Sequence, residues 1–274
     1  MLSGLFAYGF MINAFAAATV VALVAGPVGF FLVLRQQSFA GHALSHVGFT
    51  GATGAVLLGL PPLWGLVALT LLAGLAMGML GEKVAGRDVA IGLVLAASLG
   101  LGLLFLHFFT AYASQATALL FGNVFGIDRN TLLTLLVLGI VTLAGLAAIS
   151  RPLLFASLQP ELAEARGVRV RLVSVLFLGL VALATAGCAQ IIGVLLVFTL
   201  MVGPAATAQR LTRNLGAGLV LAAGLALAEA WGGIVLAYLT DWPASFWITA
   251  LGGLSYLLSC LVDMRFMKRA VSGR

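Results

Sequence analysis

The side chains with most scope for chemistry lie in one stretch, Ser38-Phe39-Ala40-Gly41-His42-Ala43-Leu44-Ser45-His46. His42 and His46 are four residues apart, which on an α-helix puts both imidazoles on one face, one turn from each other. Two nitrogen donors at that spacing can hold Zn²⁺ or another first-row divalent ion. The plain alternative is a pair of core histidines satisfied by their neighbours. Ser45 adjoins His46, poor geometry for a nucleophile and its base, and the chain has neither His-Glu-x-x-His nor Gly-x-Ser-x-Gly. A membrane-embedded hydrolase is therefore disfavoured. Glu229 stands in Leu225-Ala226-Leu227-Ala228-Glu229-Ala230-Trp231, where a carboxyl group must be neutral, paired or lining an aqueous path. Asn13 and Gln190 read as interhelical hydrogen-bonding groups, and His107 as an interfacial residue near the end of a span.

The elements that carry these groups must be membrane helices. Of 274 residues, 62% are hydrophobic and only 8% charged, against about 25% charged in a soluble domain. Charge-free runs at 1–34, 36–81, 89–127, 130–150 and 172–209 each reach the roughly 20 residues needed to cross hydrocarbon. The fold class is all-α, a polytopic helical membrane protein forming a single transmembrane domain over 1–274. Nothing resembles a soluble domain of roughly 150 residues, so no nucleotide-binding engine lies within this sequence. Splitting the runs at Gly, Pro and polar clusters predicts nine spans, near 8–34, 39–60, 62–81, 89–109, 131–150, 172–189, 191–209, 215–239 and 245–263. An eight-helix alternative makes 191–201 a re-entrant piece. The first run has no basic residues before it and is expected to stay as a helix.

Sidedness follows from the basic residues. Starting from an external N-terminus, alternation puts thirteen of the fourteen Lys and Arg residues in the cytoplasm and only Arg129 outside, as the positive-inside bias requires. The net charge of +6 is thus topological; no basic stripe with interleaved aromatics suggests nucleic acid. Cys188 and Cys260 are isolated in apolar runs and form neither a metal knot nor a disulfide framework. Residues 110–130, which mix Ser114, Gln115, Asn123, Asp128 and Arg129 with Leu119, Leu120, Phe121 and Phe125, are expected to lie along the external interface or to cap a cavity. On the cytoplasmic side, Pro160 suits a first helical turn, Glu161 and Glu164 favour its N-terminal end, and Gly167 is a natural stop. The segment 155–171 therefore presents a short charged helix, a compact handle for a partner. His46 lies ~15 Å along its helix from Arg35, near mid-bilayer.

Several stretches together resemble the permease subunits of bacterial ABC-type importers for zinc, manganese and iron. Phe39-Ala40-Gly41-His42-Ala43-Leu44-Ser45-His46 is similar to the family's Phe-Gly-Asp-Ala-Leu-Ser-His, with His42 where most members have Asp. Gly86-Arg87-Asp88-Val89-Ala90-Ile91-Gly92 is similar to its Asp-x-Ala-Ile-Gly. Gln159-Pro160-Glu161-Leu162-Ala163-Glu164-Ala165-Arg166-Gly167-Val168 resembles its Asp-Pro-Glu-x-Ala…Gly-Val coupling segment, with Gln159 replacing Asp. Ile192-Gly193-Val194-Leu195-Leu196 and Gly203-Pro204-Ala205-Ala206-Thr207-Ala208 look like its Val-Gly-x-Leu-Leu and Pro-Ala-Ala-Thr-Ala.

The resemblance implies a multi-pass permease of the bacterial inner membrane, paired with a second copy as a homodimer. A cytoplasmic ATPase subunit would bind at Pro160, Glu161, Ala163 and Gly167, and an extracytoplasmic metal-binding protein would deliver the ion. ATP would be hydrolysed on the partner, with no cofactor permanently bound to this chain. His46 and His42 inherit the metal path, with Glu229 a further candidate. Imidazole in place of a carboxylate shifts preference from Mn²⁺ toward Zn²⁺, so zinc is expected ahead of manganese or iron. The competing class is a proton-coupled secondary transporter that uses the same histidines.

Overall fold

The computed structural model describes residues 8–80, 87–108 and 118–272. Its order is α1 (Gly9–Leu34), α2 (Ser38–Leu57), α3 (Pro62–Leu80), α4 (Arg87–His107), a 3₁₀ turn (Val124–Gly126), α5 (Arg129–Leu158), α6 (Pro160–Ala165), α7 (Val170–Ile192), α8 (Val197–Leu211), α9 (Leu215–Thr240) and α10 (Ala244–Ser272). No strand occurs among the described residues. Each expected span coincides with a helix. Seven of these helices are long and apolar enough to cross a membrane. α2 falls short in hydropathy because of its Ser, His, Thr and Gly residues, and α8 falls short in length at 15 residues. Lys83, Gly86, Ser114 and Gln115 lie outside the described residues.

Three boundaries differ from expectation, the first being α10, which runs to Ser272 where 263 was expected. α5 continues past the expected end at 150 to Leu158, with Pro152 accommodated inside it. α8 begins at Val197, where a span from 191 was expected, because Gly193 at φ 78° ends α7. The irregular backbone between them is satisfied by protein: the amides of Val194 and Leu195 donate to the carbonyls of Leu119 and Leu120 at 3.2 and 3.3 Å. Non-helical backbone at membrane depth survives only with such partners. Gly122 and Gly193 meet backbone to backbone here, both with positive φ, and a Cβ on either would overlap the other strand of the crossing. The described part of the 110–130 segment therefore folds inward. Val124 and Ile127 are buried, and Asn13 on α1 donates to the Ile127 carbonyl at 3.3 Å.

The 3₁₀ turn and α5 are set by their caps. Asn123 Oδ1 accepts from the Gly126 amide at 3.1 Å, and Asp128 Oδ1 accepts from the Thr131 amide at 3.0 Å. Hydrogen bonds from the Thr131 side chain and backbone hold the Asp128 carboxyl below the usual carboxylate range.

Of the seven helices apolar enough to cross a membrane, α1 and α7 are the most buried. α1 runs through the bundle against α5, α7, α8 and α9, while α2 packs against α3, α4 and α7. Cys188 is fully buried and Cys260 half-buried; both are free thiols. Close approach is paid for in side-chain size: Gly51 of α2 and Gly65 of α3 face each other so tightly that a Cβ on one would strike the carbonyl oxygen of the other. Small residues that let backbones touch drive helix association where lipid supplies no hydrophobic force. At the end of the bundle opposite Arg35, a cavity of about 1440 Å³ opens among Phe10, Phe121, Tyr238, Trp242 and Phe246.

Gly51→Ala should force α2 and α3 apart and cost roughly 1–3 kcal/mol. Thermal unfolding in detergent should show a clear fall in midpoint, whereas Gly100→Ala, which meets open space, should leave it unchanged.

Candidate functional site: a histidine pair and a short charged helix

α2 starts from a tight corner. The Gln37 amide donates to the Leu32 carbonyl at 3.0 Å, and Gln36 adopts φ 56°, so the chain reverses out of α1 within three residues. One turn into α2, His42 is half-buried; a further turn on, His46 is 8% exposed. Their Nε2 atoms are 3.3 Å apart, and the rings meet edge to face. The hydroxyl of Ser45 donates to the His42 carbonyl at 2.7 Å, so it serves its own helix. Among the described residues neither Nδ1 has a hydrogen-bond partner.

The Nε2 separation has a chemical reading. Two nitrogens on a tetrahedral ion, each about 2.0–2.1 Å from it, lie about 3.3–3.4 Å apart. The pair is thus spaced as two adjacent corners of such a site. It also fits one imidazole donating to the other when both are neutral.

What holds the pair in place comes from elsewhere in the chain. Phe198, on the first turn of α8, packs edge-on against His42 at 5.6 Å between ring centroids. α4 covers the other flank, where Thr50 donates to the Ser98 carbonyl and Phe49 occupies the space left by Gly102. The resemblance segment around Ile91 serves this packing, with Ile91 buried and Gly92 beside the Phe39 ring. Sequence reading did not single out Phe198. Its only signal was position, at the start of a short helix after a glycine break.

Glu229 takes a different place. It is 4% exposed on α9, and its Oε1 accepts from Ser255 of α10 at 2.8 Å. Oε2 lies against Gly252, where a Cβ would come within 3.0 Å of both that oxygen and the Thr199 methyl. No three His, Cys, Asp or Glu residues converge among the described residues in a way that could hold a metal. Within one chain the histidines and Glu229 are therefore separate, and the carboxyl is an interhelical hydrogen-bonding group between α9 and α10. His107 is exposed at the end of α4.

At the other end, α6 forms the expected short helix. Pro160 occupies its first turn. Gly167 at φ 84° closes it: the Gly167 amide donates to Glu164 and the Val168 amide to Ala163, each at 2.9 Å. This paired pattern is a Schellman stop, which needs glycine at the left-handed position. Ala163 is fully buried and seats the helix, while Glu161, Leu162 and Glu164 face outward. Gln159 makes no side-chain cap. α6 thus presents a small rigid face with Leu162 46% exposed at its centre.

A helical membrane bundle with an imidazole pair inside it and a rigid helical handle outside it has the parts of a transport permease. The sequence comparisons agree, since the model of the ABC 3 transport family matches residues 7–263. The chain belongs to that family. It is 30% identical over 239 residues to the manganese transport system membrane protein MntC of Listeria innocua, covering 87% of this chain and 85% of that one. It is 26% identical over 241 residues to the high-affinity zinc uptake system membrane protein ZnuB of Haemophilus influenzae, covering 88% and 92%. Among solved structures it is similar to PsaBC from Streptococcus pneumoniae in complex with Fab, at 26% identity and a TM-score of 0.87, with 98% of each chain covered.

The Glu229–Ser255 contact makes a prediction about stability. Ser255→Ala leaves the buried carboxyl without its donor and should cost roughly 1–3 kcal/mol, whereas Glu229→Gln keeps an acceptor and should cost less. Thermal midpoints in detergent check the order; equal losses would argue against the hydrogen-bond role.

Proposed function

We propose that this chain is the permease subunit of an ATP-driven importer of divalent transition-metal ions, with Zn²⁺ as the cargo. The single observation that carries the metal path is the imidazole pair of α2, His46 buried and His42 half-buried, with Nε2 atoms at 3.3 Å. Two copies facing each other through their second helices would supply four imidazoles. Such a set binds a dication with soft enough ligands to favour zinc, and stays open enough to release it, as conduction demands. Glu229 is not needed for this set.

Charge and contacts support one orientation. Arg35 bonds Ser157 and Arg171 bonds the Met79 carbonyl near the ends of their helices, and the positive-inside bias favours this basic end as the cytoplasmic one. α6 there is the docking site of a separate ATPase subunit, through Pro160, Glu161 and Gly167; Ala163, expected among the contacts, is fully buried and instead seats the helix on its own chain. The aromatic cavity at the opposite end then faces an extracytoplasmic metal-binding protein. Closure of the ATPase pair displaces α6, and the bundles tilt to expose the histidines to one side at a time.

Manganese is the second reading. It is favoured by the similarity to MntC, named for manganese transport, and to the ScaB permease of Streptococcus gordonii, named for manganese import, which is 29% identical over 276 residues. His42 favours zinc over it on donor chemistry. The two separate in a competition assay: uptake of labelled Zn²⁺ should resist an excess of Mn²⁺, and suppression by Mn²⁺ would reverse the assignment.

His46→Ala should abolish ATP-dependent metal uptake in vesicles while the ATPase subunit still co-purifies; wild-type uptake would remove His46 from the path. Gly167→Val places a β-branched residue at φ 84°, at a cost of roughly 1–2 kcal/mol to the helix stop. It should weaken ATPase co-purification, and undiminished recovery would argue against docking at α6. A proton gradient that drives uptake with no ATPase present would instead favour the secondary-transporter class.

A further inference from the structure

Arg35 stands at the last turn of α1, three residues before α2 begins, and its side chain is 9% exposed. Its two terminal nitrogens reach the two arms that carry the handle. Nη1 donates to Ser157 Oγ at 3.1 Å, on the last turn of α5 before α6. Nη2 donates to Ser174 Oγ at 2.8 Å, on α7 after α6. The guanidinium also lies over the Phe177 ring, 5.7 Å from its centroid. One planar cation therefore joins the helix that leads into α6, the helix that leads out of it, and the corner from which the histidine helix starts. The corner itself is stiff. The Arg35 and Gln37 amides donate to Phe31 and Leu32 at 3.0 Å each, and His42 follows seven residues after Arg35, just past the first turn of α2. A second cation fastens the outgoing arm, with Arg171 Nε donating to the Met79 carbonyl at 3.0 Å.

We propose that Arg35 is a positioning residue that couples movement of α6 to the histidine pair, a role that rests on the importer reading above. When the arms shift as a unit, the forked guanidinium carries the α1–α2 corner with them and reorients α2. The forked geometry is the requirement: a lysine ammonium is a point charge on a flexible stem and does not hold two acceptors in fixed relation. Ser157 supplies the contact closest to the handle, so it is the place to cut the link with least disturbance to the fold.

The test uses the permease reconstituted in vesicles with its ATPase subunit, and measures ATP hydrolysis and uptake of labelled Zn²⁺ and Mn²⁺ in the same preparation. Arg35→Lys and Ser157→Ala should retain ATPase association and hydrolysis near the wild-type rate. Ions moved per ATP should fall roughly tenfold in Arg35→Lys, within the range common for coupling between sites, and to a smaller extent in Ser157→Ala. Ser157→Thr, which restores the hydroxyl, should recover the wild-type ratio. A merely structural role would lower hydrolysis and uptake in proportion, leaving the ratio unchanged, and that result overturns the proposal. If the wild-type complex shows no ATP-driven uptake of either ion, the importer reading falls and the coupling role falls with it.

Discussion

Hydrocarbon offers no hydrogen bonds, so the backbone inside these spans must find its partners in the protein, and buried polar side chains are placed where other side chains can meet them. That constraint organises the molecule. The irregular backbone at 193–196 exists because residues 119–120 turn inward to accept its amides. Glu229 is tolerated on α9 because Ser255 of α10 donates to it. The His42–His46 pair is tolerated because each imidazole meets the other, with Phe198 closing one side. The bundle holds its few polar groups at helix contacts, and those contacts fix where an ion could be met by more than lipid.

Much of the fold was legible in the sequence because the constraint leaves a strong mark on composition. Charge-free runs give the spans, and Pro160 with Gly167 delimits a helix whose Schellman stop is present in the structure. Boundaries were less legible where hydropathy stays high through a break. A break was expected near here, between spans 172–189 and 191–209, but Ile191-Ile192-Gly193-Val194-Leu195 does not show that residues 193–196 leave the helix altogether; that irregular stretch depends on backbone supplied from Leu119 and Leu120. Conversely, Arg151 and Pro152 looked like the end of a span, yet α5 continues through them because its last turns lie beyond the apolar run.

The candidate site divides along the same line. The imidazole pair is local, four residues on one helix, so spacing alone was enough to place both rings on one face. Glu229 was grouped with it only because both are ionisable and lie in apolar runs, and folding puts the carboxyl between α9 and α10 instead. Arg35 read as one more positive charge marking sidedness. Its partners Ser157 and Ser174 are 122 and 139 residues away, a relation that no local pattern carries. Phe198 was hidden for the same reason.

The central claim is that the two imidazoles of α2 are ligands to the transported ion. X-ray absorption of the purified permease loaded with Zn²⁺ tests it most directly, because imidazole nitrogens at about 2.0–2.1 Å and the outer atoms of their rings give a characteristic scattering pattern. The account predicts a nitrogen-containing shell with imidazole outer scattering that is lost in His42→Ala and His46→Ala. An all-oxygen shell, or an imidazole pattern unchanged in both variants, would contradict it.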